Sequence, residues 1–330
     1  MLEDPQLDLR ELASALSSVY GVEAREYRFI PGYDFDAASY EVATRGGGRV
    51  FLKVHFSRPA MAPLEVARAL SDSGIDVVAP RPTLASGLSH AMGGGRHVVL
   101  YPFVEGQNAM VAAMTEDHWR AFGTTLRAVH DSPVRDRFAD RLPVEDFTLP
   151  SSDQVRRALD IAKRPGHGSP ATARLAAFLE DHDGQIEGML QRADELRRGL
   201  RGRRLPHCLC HADAHGANVL LADDGRVLLV DWDGAMLAPR ERDLLFVIGS
   251  RIASTVEPHE EDWFFGGYGS VEADREAIVY YRYERIFQDL AVDAKSVFDA
   301  RTEGASAEAQ VTLIEGNFGP GGMVEVVERV

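Results

Sequence analysis

The 330-residue chain has only two cysteines, Cys208 and Cys210, and only three lysines, Lys53, Lys163 and Lys295, among 36 basic residues. Two thiols exclude the disulfide framework of a small secreted protein. This pair is expected on opposite faces of one extended segment and so is not expected to bridge. No uninterrupted apolar run is long enough for a signal peptide or a membrane span. Asp4, Asp8, Glu11 and Glu23 punctuate the first thirty residues, and cytoplasmic residence is the expectation. Positive charge is also scarce: 36 Lys and Arg face 51 Asp and Glu, a net charge of −15. Nucleic acid and anionic membrane surfaces are poor partners for such a chain, whereas a small cationic ligand suits it.

The length is comfortable for two lobes around a cleft. Leu9, Leu12, Leu16 and Val19 have helical spacing, and Gly21 is a natural stop. Residues 26–31, 38–44 and 49–56 read as strands, with Gly46-Gly47-Gly48 turning between the last two. A short helix is expected over 63–70 and another strand over 96–104. After Gly106 helices dominate. Trp119, Phe122, Leu126 and Val129 form one stripe behind a Thr115 N-cap. One long helix or two shorter ones are expected over 171–200, a compact β segment over 207–231, and helices over 240–248, 272–298 and 305–315. The stretch 133–150, with Pro133, Pro143 and Pro150, reads as loop. The expected architecture is α+β: a small β-rich lobe over 1–105, a larger helical lobe over 106–330, and a linker and cleft near 101–106.

The chemistry concentrates in residues 208–233, CLCHADAHGANVLLADDGRVLLVDWD. His211, Asp213 and Asn218 spell H-x-D-x-x-x-x-N, and Asp231 ends the apolar strand after the hairpin turn Asp223-Asp224-Gly225. Phosphoryl transfer needs a carboxylate to address the acceptor hydroxyl and oxygen ligands to hold Mg²⁺ against the phosphates. Asp213 is the expected catalytic residue, with Asn218 and Asp231 facing the metal. Cys208, Cys210, His211 and His215 lack the two separated ligand pairs of a structural zinc site.

Lys53, in the strand Val50-Phe51-Leu52-Lys53-Val54, is placed to reach the α- and β-phosphates of a nucleotide. Glu65, on the following helix, is a candidate to hold it, although a first-turn Glu also complements the helix dipole. Gly32 is the candidate phosphate-covering residue in the 29–40 connection, which has no G-x-G-x-x-G. In 100–106, the backbone of Tyr101 and Phe103 is placed to bond a purine edge and Leu100 to line its slot. Asp243 reads as a helix-start carboxylate or a partner of the catalytic loop. His130 reads as a hydrogen-bonded core histidine. Acidic and aromatic residues of the C-terminal region suit a cationic sugar-like ligand. Asp233, Tyr268, Glu284 and Asp289 are the substrate candidates.

Together Lys53, the 100–106 linker, the Leu126–His130 helix end, the 211–218 loop, Asp231 and Arg242-Asp243 resemble, in order, the aminoglycoside phosphotransferase family. One departure is Ala212, where the family's loop reads H-G-D. The resemblance implies a bilobal protein-kinase-like fold, with ATP and Mg²⁺ used to phosphorylate a hydroxyl of a small cationic antibiotic, by a monomer or homodimer. CHADAHGANVLL, VDWDGAMLAPRERDLLFVIG, GYG at 267–269 and YYRYERIFQDLAV look most like members acting on spectinomycin. Kinases of choline, homoserine or a ribose derivative use the same parts, and a nucleotide-binding module without turnover is a further alternative. A protein kinase fits less well, because only about ten residues follow Asp231 before the next helix, too few for a peptide-docking segment.

Overall fold

The structure, a computed structural model, describes residues 4–32, 34–252, 255–302 and 304–329. The chain runs α1 (Leu9–Tyr20), β1 (Ala24–Ile30), β2 (Ala37–Thr44), β3 (Arg49–His55), α2 (Met61–Asp72), β4 (His90–Ala91), β5 (His97–Pro102), β6 (Gly106–Asn108) and α3 (Glu116–His130). It continues through α4 (Val134–Arg137), α5 (Ser152–Ala162), α6 (Pro170–Asp181), α7 (Asp183–Arg201), β7 (His207–Cys210), β8 (Val219–Ala222), β9 (Val227–Leu229) and β10 (Met236–Pro239). The helices α8 (Glu241–Leu244), α9 (Pro258–Tyr268), α10 (Arg275–Phe298), α11 (Gly304–Phe318) and α12 (Met323–Val326) complete it.

These elements form two compact units. The first holds all of 1–105 and adds 106–143, 211–237 and 263–269. The second holds 144–210, 238–262 and 270–330. No helix among the described residues is long and apolar enough to cross a membrane.

The first unit is built on an antiparallel sheet ordered β1-β2-β3-β5-β4. Strand alternation sorts its residues between two faces. Val50, Leu52 and Val54 of β3 join Val98 and Leu100 of β5 in a core covered by Leu12, Leu16 and Tyr20 of α1. Asp8 caps α1, and Gly21 ends it at φ 64°, a conformation that costs glycine nothing. Val99 packs on the other face with Leu64 of α2 and Leu88, and Met61 and Tyr101 lie against them. A small sheet, β6-β8-β9, carries the motif-bearing hairpin. A β-carbon on Gly106 would lie 2.2 Å from the Leu221 carbonyl oxygen, so β6 can approach β8 only with glycine there. Val77 bridges to Leu229, and the Val78 N–H donates to the Leu229 carbonyl, which ties the chain beyond α2 to β9.

Within the same unit, residues 263–269 lie against α3. A β-carbon on Gly267 would sit 1.9 Å from the Arg120 carbonyl oxygen, and one on Gly123 would sit 2.2 Å from that of Phe264. Small residues at both positions let the two backbones touch. This contact brings the Tyr268 hydroxyl 2.7 Å from His130 Nδ1, so His130 is the buried, hydrogen-bonded histidine expected.

The second unit packs α10 against α5, α7 and α11. Arg282, fully buried on α10, donates to the carbonyls of Ile248, Val326, Val327 and Arg329 and so fastens the end of the chain. Burial pushes its pKa down to about 10.

One expectation about this unit is corrected, and one open alternative is decided. Cys208 and Cys210 form no disulfide, as expected, but they share one face, with Sγ atoms 3.7 Å apart. Two residues are one full strand period, which returns a side chain to the same side. The long 171–200 pattern is two helices, α6 and α7, broken at His182. The helices α5 and α9 and the three-residue β6 were not anticipated.

Candidate active site

The Lys53 cluster and the catalytic loop lie in the first unit. Lys53 projects from the α2-facing side of β3 into three carboxylates. Its Nζ is 2.7 Å from Asp233 Oδ2, 3.0 Å from Asp231 Oδ1 and 3.4 Å from Asp34 Oδ2. The lysine side chain is 9% exposed, whereas the three carboxylates are 41–47% exposed. The ammonium therefore closes the floor of an acidic cluster that opens to water. Burial pulls the lysine pKa down, but Asp231 and Asp233 prevail, and the pKa stands well above its usual value.

Local backbone geometry aims the two motif carboxylates. Asp231 has φ 61° and ψ 72°, a left-handed conformation that a non-glycine residue adopts at a cost. The chain thereby leaves β9 and enters the short turn Trp232–Gly234. Buried Trp232 anchors that turn against the His211 ring, edge-on at 4.6 Å, and leaves the aspartates on either side facing out.

The catalytic loop is held with equal economy. His211 is fully buried, its Nε2 2.8 Å from the Val230 carbonyl oxygen and its Nδ1 accepting from the Asp213 N–H at 3.3 Å. These partners put the imidazole proton on Nε2. The loop is thus fixed to the residue preceding Asp231. Asn218 donates from Nδ2 to the Asp213 carbonyl and to Asp213 Oδ2, at 2.9 and 3.0 Å. The amide nitrogen is committed, and Oδ1 is the atom Asn218 can offer a cation. Ala212 has φ 67°, which explains physically why a glycine is usual there.

In the sequence His215 stands out only as a potential zinc ligand. Its Nδ1 accepts from the Ala217 N–H, and its Nε2 lies 3.4 Å from Asp213 Oδ2. Asp34 carries no sequence signal, since nothing in the 29–40 connection marks it above Asp36. Gly32 lies in the same connection, and a β-carbon there would meet nothing within 4 Å among the described residues beyond its chain neighbours.

Several candidates have other partners than expected. Glu65 accepts from Arg141 at 3.0 Å, and Lys53 is satisfied by Asp231, Asp233 and Asp34 instead. Leu100 faces the α1 core, so it is Val99 and Tyr101 that share the Lys53 face. Burial, with Asp233 adding to it, holds the Tyr101 hydroxyl pKa above its usual value. Phe103 lies under the Arg49 guanidinium at 4.3 Å, and Arg49 also pairs with Glu105, so the linker is tied to β3.

Among the substrate candidates, Asp233 reaches the cluster, and Tyr268 is buried against His130. In the second unit, Glu284 is buried in an ion pair with Arg242, and Asp289 pairs with Arg285 at 3.0 Å on α10. These side chains have internal partners where a ligand contact was expected. Asp243 is fully buried in α8.

The donors at the Lys53 cluster and Asn218 are all oxygens, the set preferred by a hard divalent cation. The lysine ammonium among the carboxylates is a stand-in that shows they can share a cation.

The model of the phosphotransferase enzyme family APH matches residues 26–278. Protein StrN of Streptomyces griseus is 29% identical over 224 residues, 65% of this chain and 68% of its own length. Spectinomycin phosphotransferase APH(9)-Ia, solved in complex with ADP and spectinomycin, superposes with a TM-score of 0.86 at 26% identity, over 99% of both chains. Amicoumacin kinase hAmiN, in complex with AMP-PNP, Ca²⁺ and Ami, shares the fold with a TM-score of 0.64 at 18% identity, over 98% of this chain and 93% of its own.

Proposed function

Because the chain belongs to the phosphotransferase enzyme family, and so is a kinase of small molecules, we propose that it moves the terminal phosphoryl group of ATP onto a hydroxyl of spectinomycin. The observation that carries the phosphotransfer reading is the convergence of Lys53, Asp231 and Asp233 beside a loop in which Asn218 grips Asp213. The whole-length likeness to an enzyme solved with ADP and spectinomycin supports the choice of acceptor.

Asp213 accepts the proton of the incoming hydroxyl as its oxygen bonds to phosphorus and ADP departs. Asn218 and His215 hold the carboxylate for that task. Lys53 binds the α- and β-phosphates, exchanging carboxylate partners for phosphate oxygens. Asp231 and the Asn218 amide oxygen would hold Mg²⁺, which when bound neutralises phosphate charge. Asp233, exposed and acidic, suits a protonated amine of the substrate. An antibiotic modified in this way loses its activity, which makes resistance the biological consequence.

The test is to incubate the protein with Mg·ATP and, separately, spectinomycin, other aminoglycosides and choline, and to weigh the products by mass spectrometry. Spectinomycin should gain one phosphoryl unit. Phosphorylation of choline with spectinomycin untouched would reassign the substrate and leave the reaction class standing.

A further inference from the structure

Phe51, Lys53 and His55 of β3 share one face, because side chains two residues apart in a strand lie on the same side. Across the ladder Phe51 lies opposite Tyr101, Lys53 opposite Val99 and His55 opposite His97. Tyr101 adjoins the linker, and Lys53 meets the carboxylates. The three β3 positions therefore form a line leading away from the linker, with His55 about 7 Å beyond Lys53. His55 is buried, with 6% of its surface exposed, and its Nε2 has no hydrogen-bond partner among the described residues. A polar atom left so is costly and calls for a group that completes it.

The surroundings of His55 are those of the site. Burial, and then Lys53, pull its pKa down, while Asp233, Asp34 and Asp231 pull it up. His97 also has a buried nitrogen, Nδ1, without a partner among the described residues. That ring answers instead to burial, Arg58 and His90. Electrostatically, His55 belongs with the carboxylate cluster and His97 with the end of the sheet.

We propose that His55 is a nucleotide-binding residue that donates from Nε2 to the terminal phosphate of the bound triphosphate. The inference rests on the phosphotransfer reading above. If the base end lies at the linker and Lys53 takes the α- and β-phosphates, the next position on the same face meets the terminal one. A phosphate oxygen is an acceptor for a ring N–H, and a hard divalent cation takes oxygen ligands in preference to a ring nitrogen.

The experiment compares His55→Leu, which removes the donor, with His55→Gln, which keeps an N–H. Calorimetry measures binding of the Mg²⁺ complexes of ADP and of the non-hydrolysable imido analogue of ATP. His55→Leu should bind the triphosphate analogue about tenfold more weakly, the size of one hydrogen bond to a charged group. Its ADP affinity should stay within about twofold, which also shows that the variant is folded. His55→Gln should keep triphosphate affinity within about threefold of the unsubstituted protein. Equal loss of both nucleotides, or loss of neither, overturns the assignment while the phosphotransfer reading stands. Failure of the unsubstituted protein to bind either nucleotide defeats that reading and this inference together.

Discussion

Asn218 donates through a single nitrogen, Nδ2, to both the main-chain oxygen and the carboxylate of Asp213. The amide thereby fixes a loop conformation and the direction of the expected base in one contact. Asp213→Ala should lower turnover by roughly 10²–10⁴-fold, the span associated with a general acid or base, and leave nucleotide affinity within a few-fold. Initial-rate assays paired with ADP titrations measure both quantities. A variant turning over at the unsubstituted rate would strip Asp213 of its role.

Asp231 and Lys53 are 3.0 Å apart, and the aspartate is exposed while the lysine is buried. Asp231→Ala should lose the magnesium dependence of nucleotide binding and weaken affinity roughly tenfold or more. Binding titrations with and without magnesium test this. Persistence of the full magnesium effect would move the metal elsewhere.

Ala212 holds φ 67° between His211 and Asp213. Relief of left-handed strain in Ala212→Gly is worth about 1 kcal/mol, reduced somewhat by the greater freedom of glycine in the unfolded chain. Thermal unfolding should show a Tm increase of about 2 °C. A fall in Tm would mean that the alanine methyl contributes packing that outweighs its backbone strain.

Asp293 on α10 holds its proton more tightly than an ordinary aspartate does. Burial, and then Asp289, push its pKa up to about 7 from 3.8, against the pull of Arg285. A folded-state pKa above the unfolded value means that the stabilising preference for the proton is fully present below about pH 4. It is lost as the pH rises through about 7. The protein should therefore lose stability across that window, by at most about 4 kcal/mol from this group. Denaturant unfolding of Asp293→Asn should lack this component, and the variant should be the more stable of the two above neutral pH. An unchanged pH profile in the variant would show that Asp293 is not its source.

Much of this site could be read in the linear order of residues. The H-x-D-x-x-x-x-N loop and the strand-end aspartate belong to one contiguous stretch, 211–231, whose hairpin is set by Asp223-Asp224-Gly225. The Thr115 cap and the stripe of Trp119, Phe122, Leu126 and Val129 likewise specify α3, because helix periodicity and capping are local properties. Lys53 was conspicuous for being a lysine in an apolar strand of an arginine-rich chain.

What only tertiary structure decided is parity and partnership. Whether Leu100 or its neighbours Val99 and Tyr101 face Lys53 depends on how β5 registers against β3, and a shift of one residue exchanges the faces. Glu65 and Asp34 are both plausible acids near a lysine in sequence. The fold gives one to Arg141 and the other to Lys53. The chain itself determined which chemical groups are present and the local turns that carry them. The long-range packing that brings Lys53 to residues 178 and 180 positions away determined which groups meet, because those contacts depend on side-chain volume and strand register summed over the whole unit.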